Sequence, residues 1–358
     1  MFKIKNCENI FLKKIEEYEQ KNGKIYILGA GECGKKLYEA LSYYGKNVDG
    51  FVVDKDKIER PNTGEIICTE DVLKMPQCVL LIIAINGYDL KRMGTLSDTI
   101  EILYEDIFSL WAVEECGIDY DYYTKHLKEF EHFYSMLSDP KSIACVEAYI
   151  NQKISGKFGE LQNLWETNAY YDSNLIDLCK INTIVDCGAY NGDSFLAFAE
   201  AFKESTGCDF GGTAYLLEPN IDNYEQLDSI SLNYKGVKPL QIGAWDKEDQ
   251  LTFLTNGTSS GIVSAGDVSI CVDCIDHILQ GERADFIKMD IEGAELYALK
   301  GARNTIETYH PILAICVYHR REDLITIPEY IRTLYEGYKF YIRAYSLYST
   351  ELVLYAVP

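Results

Sequence analysis

ADFIKMDIEGAELYALKGA, residues Ala284–Ala302, is the stretch from which the rest of the chain can be read. Asp285 to Met289 has the length and composition of a short buried strand, and it stops at the carboxylate of Asp290. A helix with an acidic start follows from Glu292. Leu296, Leu299, Ala302 and Ile306 recur at helical spacing and give it one apolar stripe. A strand that runs into a helix, with carboxylates at its exit, is an α/β unit. Such sheets take their ligands at the carboxyl ends of the strands. Asp290, Glu292 and Glu295 therefore gather where a ligand would lie, although acidic residues also favour helix N-termini on electrostatic grounds alone.

Composition narrows the partners. The chain has 358 residues with 47% hydrophobic and 25% charged side chains, enough for two domains with a core each. Its net charge of −22 repels phosphates, which argues against nucleic acid and anionic membranes as partners. No run of about 18 apolar residues is present, so no transmembrane helix is expected. The first residues, MFKIKNCENIFLKKIEEYEQ, are charged throughout and lack the apolar core of a signal peptide, so the expected location is cytoplasmic. Twelve cysteines are scattered, and Cys78, Cys187 and Cys316 sit in strand-like runs as buried thiols would. Cys271 and Cys274 form a close pair, with no second pair or histidines near enough in sequence for a zinc site.

Residues 1–111 read as a small Rossmann-like domain. Lys24–Leu28 is a strand that enters Gly29-Ala-Gly31-Glu-Cys-Gly34 and then a helix, KKLYEALSYYG. Strand, G-x-G-x-x-G and helix in that order can form a tight turn whose helix amides face a phosphate. Further strands are expected at Val48–Val53, Cys78–Ile85 and Ile100–Leu103, and Asp54 ends the second of them where a ribose hydroxyl would meet it. Gly29, Gly31, Gly34 and Asp54 thus mark a candidate site for a nucleotide or nucleotide-sugar, the alternative being an empty architectural turn. Residues 112–168 read as a helical connector, with amphipathic helices in KHLKEFEHFYSML and KSIACVEAYINQKI around Asp139-Pro140. His126 and His132 fall on its surface. Tyr170 and Tyr171 precede a helix expected over SNLIDLCK and are candidates to line a pocket.

In residues 169–358 the motifs form an ordered series. Thr183–Asp186 is a strand that enters Cys187-Gly188-Ala189-Tyr190-Asn191-Gly192-Asp193-Ser194 and a helix. Glycines there let backbone approach a ligand, and Asp186 at the strand end is placed to meet an ammonium group. The next strand, Thr213–Leu217, ends in Glu218-Pro219-Asn220, where a carboxylate would clamp two ribose hydroxyls. Val237–Ile242 leads to Gly243-Ala244-Trp245, whose indole or backbone is a candidate platform for an adenine. A hairpin over Leu251–Val272, a helix at Cys274–Leu279, the Asp285–Met289 strand, a fifth strand Ile312–Val317 ending in Tyr318-His319, and a closing hairpin from Phe340 to Val357 complete the order.

VDCGAYNGDS (185–194), LLEPN (216–220), GAW (243–245), IKMDIEGAELYALKGA (287–302) and HP followed by a strand ending in YH (310–319) resemble the FkbM family of methyltransferases. The likeness spans nearly all of residues 169–358 and does not extend to residues 1–168. It implies a class I methyltransferase sheet of five parallel strands plus a C-terminal hairpin. It also implies S-adenosylmethionine as cofactor and O-methylation of a hydroxyl, commonly on sugars or other secondary metabolites. On that reading the cofactor meets Asp186, Gly188 to Ser194, Glu218, Pro219, Asn220, Ala244, Trp245 and Asp290. Tyr190 stands where generic methyltransferases often have glycine.

Asp290 and His319, at adjacent strand ends, are the candidate bases, since histidine titrates near neutral pH without tuning. Asp290 with Glu292 or Glu295 is an alternative holder of a divalent metal. Lys288 shares a strand face with Asp290 and is expected to pair with it, most simply as a structural ion pair. Two rival functions remain at this stage: a nicotinamide-dependent oxidoreductase or epimerase working at Gly29, or a non-catalytic nucleotide-sensing module. The acceptor pocket is expected around Thr258–Val263, and a homo-oligomer is permitted.

Overall fold

The computed structural model of the protein describes residues 1–54, 65–72, 74–75, 77–85, 100–111, 117–167, 169–172, 174–254, 261–262 and 268–358. The chain packs as two compact units. The smaller comprises Lys3–His126 with Glu147–Asn163, and the larger Met1–Phe2, Leu127–Val146 and Leu164–Pro358. The stretch 112–168, expected as a connector, is thus divided between them. Helix Leu127–Met136 buries Phe130 and Phe133 in the larger unit. At the far end of helix Pro140–Ser155, Lys153 Nζ donates to the Phe108 and Trp111 carbonyls of the smaller one.

The smaller unit holds five parallel strands: β1 (Lys24–Leu28), β2 (Gly50–Val53), β3 (Glu65–Cys68), β4 (Val79–Ile83) and β5 (Ile100–Leu103), in the order β3-β2-β1-β4-β5. Four of these follow the sequence reading. β3, only EIIC, is too short to show a period and exists because it pairs with β2. Val79–Ile83 is buried along its whole length, as a central strand covered on both faces must be. Phe11, Ile15, Leu37 and Leu41 of helices Ile10–Gln20 and Glu32–Tyr43 pack with Ile25 and Ile27 on one face. The strand order reverses between β1 and β4, and the Gly29–Gly34 loop leaves β1 there.

The larger unit is built on β6 (Thr183–Cys187), β7 (Thr213–Leu217), β8 (Val237–Leu240), β9 (Gly243–Ala244), β10 (Asp249–Leu254), β11 (Gly261–Ile262), β12 (Val268–Asp273), β13 (Phe286–Met289), β14 (Ile312–Cys316), β15 (Lys339–Ala344) and β16 (Leu352–Val357). Seven of them form one sheet, β15-β16-β14-β13-β6-β7-β8, in which β14, β13, β6, β7 and β8 are parallel and β16 runs antiparallel to both neighbours. This is the expected five-strand sheet with a closing hairpin. β9 to β12 make a small separate sheet. Of the hairpin expected to shape the acceptor pocket, Thr258–Val263, all but Gly261 and Ile262 lies outside the described residues.

SNLIDLCK does not become a helix. It contributes only a 3₁₀ turn, Leu178–Lys180, and the Asp172 carboxylate before it accepts the Asn174 amide on one oxygen while Arg343 holds the other.

Register decides what faces what. Pairing of Ile184 with Phe286 and of Cys187 with Met289 sets Asp186 opposite Lys288 and brings Gly188 beside Asp290. Those two strands, β6 and β13, flank the point where the order of connection reverses, so the crevice of this sheet opens at their carboxyl ends.

Candidate active site

Gly188 leaves β6 at φ +75°, and a Cβ on it would lie 2.0 Å from the Asp290 carbonyl oxygen. No side chain fits there, so loop and neighbouring strand are in backbone contact. The Gly188 and Ala189 amides both donate to the Leu217 carbonyl at the end of β7. Tyr190 follows at φ +47° and is 50% exposed. A non-glycine residue in this left-handed region marks a turn held by its surroundings. The holder is Glu218: Oε2 accepts the Tyr190 amide at 3.0 Å and Oε1 the Asn220 amide at 2.9 Å. Burial pushes the Glu218 carboxyl above its ordinary value, while these amides pull it back. Gly192 closes the turn at φ +87°, Asn191 accepts the Asp193 amide, and helix Asp193–Thr206 begins. Asn220, beyond Pro219, caps the helix Ile221–Ser231 through the Asp222 and Asn223 amides.

Asp186 and Lys288 depart from expectation. Asp186 is fully buried, with Oδ1 3.0 Å from Lys288 Nζ and Oδ2 accepting from Ser194 Oγ. It cannot meet an ammonium group in the crevice while both its oxygens are engaged inside. Lys288 pairs with Asp186 rather than Asp290 because the β6–β13 register sets them opposite each other. It also donates to the Gly188 carbonyl at 2.7 Å and lies over the Tyr170 ring. The pair is an internal tie that gives the glycine loop its shape.

Asp290 sits at the crevice with both oxygens engaged by tyrosines. Tyr170 donates to Oδ2 at 2.8 Å and Tyr318 to Oδ1 at 3.2 Å. Burial holds both phenols well above their ordinary values, so they remain donors. Burial also works to raise the Asp290 carboxyl, but Lys288, His319 and the Tyr170 hydroxyl together hold it below the ordinary range. His319 is 5% exposed; its Nε2 lies 3.4 Å from Asp290 Oδ1 and 3.8 Å from Glu292 Oε2, and its Nδ1 lies 2.9 Å from Glu295 Oε1. Burial disfavours the imidazolium, yet Glu295, then Asp290 and Glu292, push His319 up to about 10. It therefore carries its proton at neutral pH, contrary to the expectation of a base poised there.

Glu295 departs furthest from its sequence reading. The helix begins at Glu295, not Glu292, which occupies the preceding turn at φ +55° beside Gly293 at φ +92°. Glu295 is fully buried, and its Oε1 accepts the Ile291 amide. Nothing in the spacing of a charged residue at a helix start signals such burial. Tyr170 carried only a weak signal, as one of an aromatic pair before the helix expected over SNLIDLCK. Tyr318 lay in plain view beside His319, but only the sheet turns its hydroxyl to Asp290.

Ala244 is buried in β9, and the Trp245 indole stacks on Tyr297 at 4.1 Å between centroids and 15° between planes. One indole face is thus already covered by protein. In the smaller unit, Gly34 is required by packing, since a Cβ there would lie 1.9 Å from the Gly29 carbonyl oxygen. Gly31, the N-cap of helix Glu32–Tyr43, faces open space, and Asp54 is exposed at the end of β2. Among the described residues the cysteines are free thiols, Cys271 and Cys274 included.

Residues 186–340 match the family model described as the methyltransferase FkbM domain. A crystal structure of methyltransferase FkbM from Methylobacillus flagellatus KT superposes with a TM-score of 0.72 at 20% identity, covering 98% of this chain and 94% of that one. Aeropyrum pernix fibrillarin, solved with natively bound S-adenosyl-L-methionine, matches at a TM-score of 0.33 and 11% identity over 51% of this chain and 69% of its own. No curated protein matches the chain.

Proposed function

Because residues 186–340 match the model of the FkbM methyltransferase domain, we propose that the protein moves a methyl group from S-adenosylmethionine to a hydroxyl of a glycan, a nucleotide-linked sugar or a related metabolite. The observation that supports this reading above others is the crevice where β6, β7 and β13 end, with Gly188 against Asp290 and Glu218 fixed by two amides. When bound, the cofactor supplies an electrophilic methyl group on a sulfonium. The donor and acceptor chemistry of the site suits it: each Glu218 oxygen accepts one amide and keeps a further lone pair for a ribose hydroxyl. Gly188 to Ser194 shape the cofactor's berth, with Asp186 acting through Lys288 rather than by contact.

Asp290 is the group that receives the acceptor's hydroxyl proton as the new C–O bond forms. Tyr170 and Tyr318 hold its carboxylate in one orientation. A carboxylate held below the ordinary range is a weak base, so alignment of the acceptor oxygen supplies most of the acceleration. His319 keeps its own proton below a pH of about 10 and contributes positive charge beside Asp290.

Calorimetry of the full chain with S-adenosylhomocysteine tests the reading. Binding by the native protein and none by a folded Gly188→Arg variant is expected. No binding by the native protein, or equal binding by the variant, sinks it. A second reading places a nucleotide or nucleotide-sugar at the Gly29–Gly34 loop, favoured by Gly31 opening to solvent where the strand order reverses between β1 and β4. Thermal shifts with a uridine diphosphate sugar would support it, whereas shifts and turnover with a nicotinamide dinucleotide would favour an oxidoreductase.

A further inference from the structure

We propose that Asp290, Glu295 and His319 form a binding site for one divalent transition-metal ion. Each offers one ligating atom, and these atoms lie within 4.8 Å of one another. A second observation points to a cation. Glu295 is 0% exposed and its Oε2 has no hydrogen-bond partner among the described residues, although Oε1 accepts the Ile291 amide. Native structures rarely leave a buried carboxylate oxygen unpaired, because the desolvation it suffers is not offset. A cation in the cluster would offset it.

His319 Nδ1 already lies 2.9 Å from Glu295 Oε1, and on its other nitrogen the ion would take the place of a proton. The His319 Nε2 separations of 3.4 Å from Asp290 Oδ1 and 3.8 Å from Glu292 Oε2 are too long for good hydrogen bonds. Two ligands that are each about 2.1 Å from a common ion and spread near the tetrahedral angle are roughly 3.4 Å apart. The surroundings resemble an outer shell: Tyr170 and Tyr318 fix the Asp290 carboxylate, and the Ile291 amide fixes Glu295. The strained turn at Glu292 and Gly293 folds the backbone so that Asp290 and Glu295 reach the same point.

Ligand chemistry selects the class of ion. An imidazole with two carboxylates suits zinc, manganese, ferrous iron or cobalt, whereas magnesium and calcium prefer all-oxygen sets. Three protein ligands leave a position for water or another oxygen. The Asp290 and Glu292 side chains, 27% and 37% exposed, put that position on the crevice side. There, resting on the methyltransferase reading, the ion would take the acceptor's hydroxyl oxygen.

The test uses full-length protein stripped with a chelator and then freed of it. Manganese(II) is titrated by electron paramagnetic resonance, with zinc(II) as competitor, and pulsed measurements look for nitrogen coupling. One saturable ion per chain is expected, with histidine nitrogen coupling that is retained in His277→Ala, a change at another histidine that faces a carboxylate at close range, Asp273 Oδ2 at 2.6 Å. Affinity should fall about tenfold or more in Glu295→Gln and in His319→Ala. The proposal is overturned by absence of saturable binding up to about 1 mM, by binding without nitrogen coupling (an ion on surface carboxylates), by loss of coupling in His277→Ala, or by native affinity in both site variants. Should the site variants not fold, native-protein coupling together with His277→Ala decides. S-adenosylhomocysteine binding is read separately, so a metal-free result would leave the proposed function standing.

Discussion

The two glycine loops answer one structural problem in different ways. Each leaves the first of a set of parallel strands where the strand order reverses, and each opens a helix. In the smaller unit the loop is shaped by close approach of backbone to backbone, Gly34 against the Gly29 carbonyl. In the larger unit the same kind of contact, Gly188 against Asp290, is surrounded by charge: the Asp186–Lys288 pair beneath the loop and the Glu218 carboxylate beside it. The glycine pattern alone therefore reports a turn. Buried charges around it distinguish the second loop from the first.

If that contrast is right, the largest effect should come from Lys288→Met. It leaves the Asp186 carboxylate buried with only Ser194, and unfolding of the larger unit in urea should weaken by about 3–5 kcal/mol. Adding Asp186→Asn should recover much of the loss. A change below about 1 kcal/mol would mean that the pair is no more than a surface-like bridge. Glu218→Gln comes next, since an amide can accept at only one of its two termini and must present a donor at the other. We expect affinity for S-adenosylhomocysteine, measured by calorimetry, to fall about tenfold or more, as for a charge-assisted contact. Unchanged affinity would remove Glu218 from the site. The smallest effect is expected for Gly34→Ala, whose Cβ collides with the Gly29 carbonyl and should cost about 1–3 kcal/mol in the smaller unit. Cofactor binding should not change; if it does, the two loops are not independent and the comparison fails.

Much of the fold was legible because strand and helix periodicity, and glycines placed between them, are local signals. The ends of β1, β6, β7, β13 and β14 all fall within a residue or two of where the run of apolar residues stops. β3 was missed because only its pairing with β2 marks it, and SNLIDLCK was misread as a helix where only Leu178–Lys180 turns, as a 3₁₀ segment. At the site, Gly188, Glu218, Asp290 and His319 could be named from the chain. Their states could not. The proton on His319 follows from three carboxylates that arrive from a turn and a helix up to 29 residues away in sequence.

ADFIKMDIEGAELYALKGA by itself determined a strand, an acidic exit and a helix, since each depends on residues within a few positions. Only the tertiary structure decided which acid does what. Strand register gave Lys288 to Asp186, the β14 end brought Tyr318 and His319 to Asp290, and the turn at Glu292 and Gly293 drove Glu295 inside. Charge and burial depend on neighbours distant in the chain, and a linear sequence carries no direct record of those neighbours.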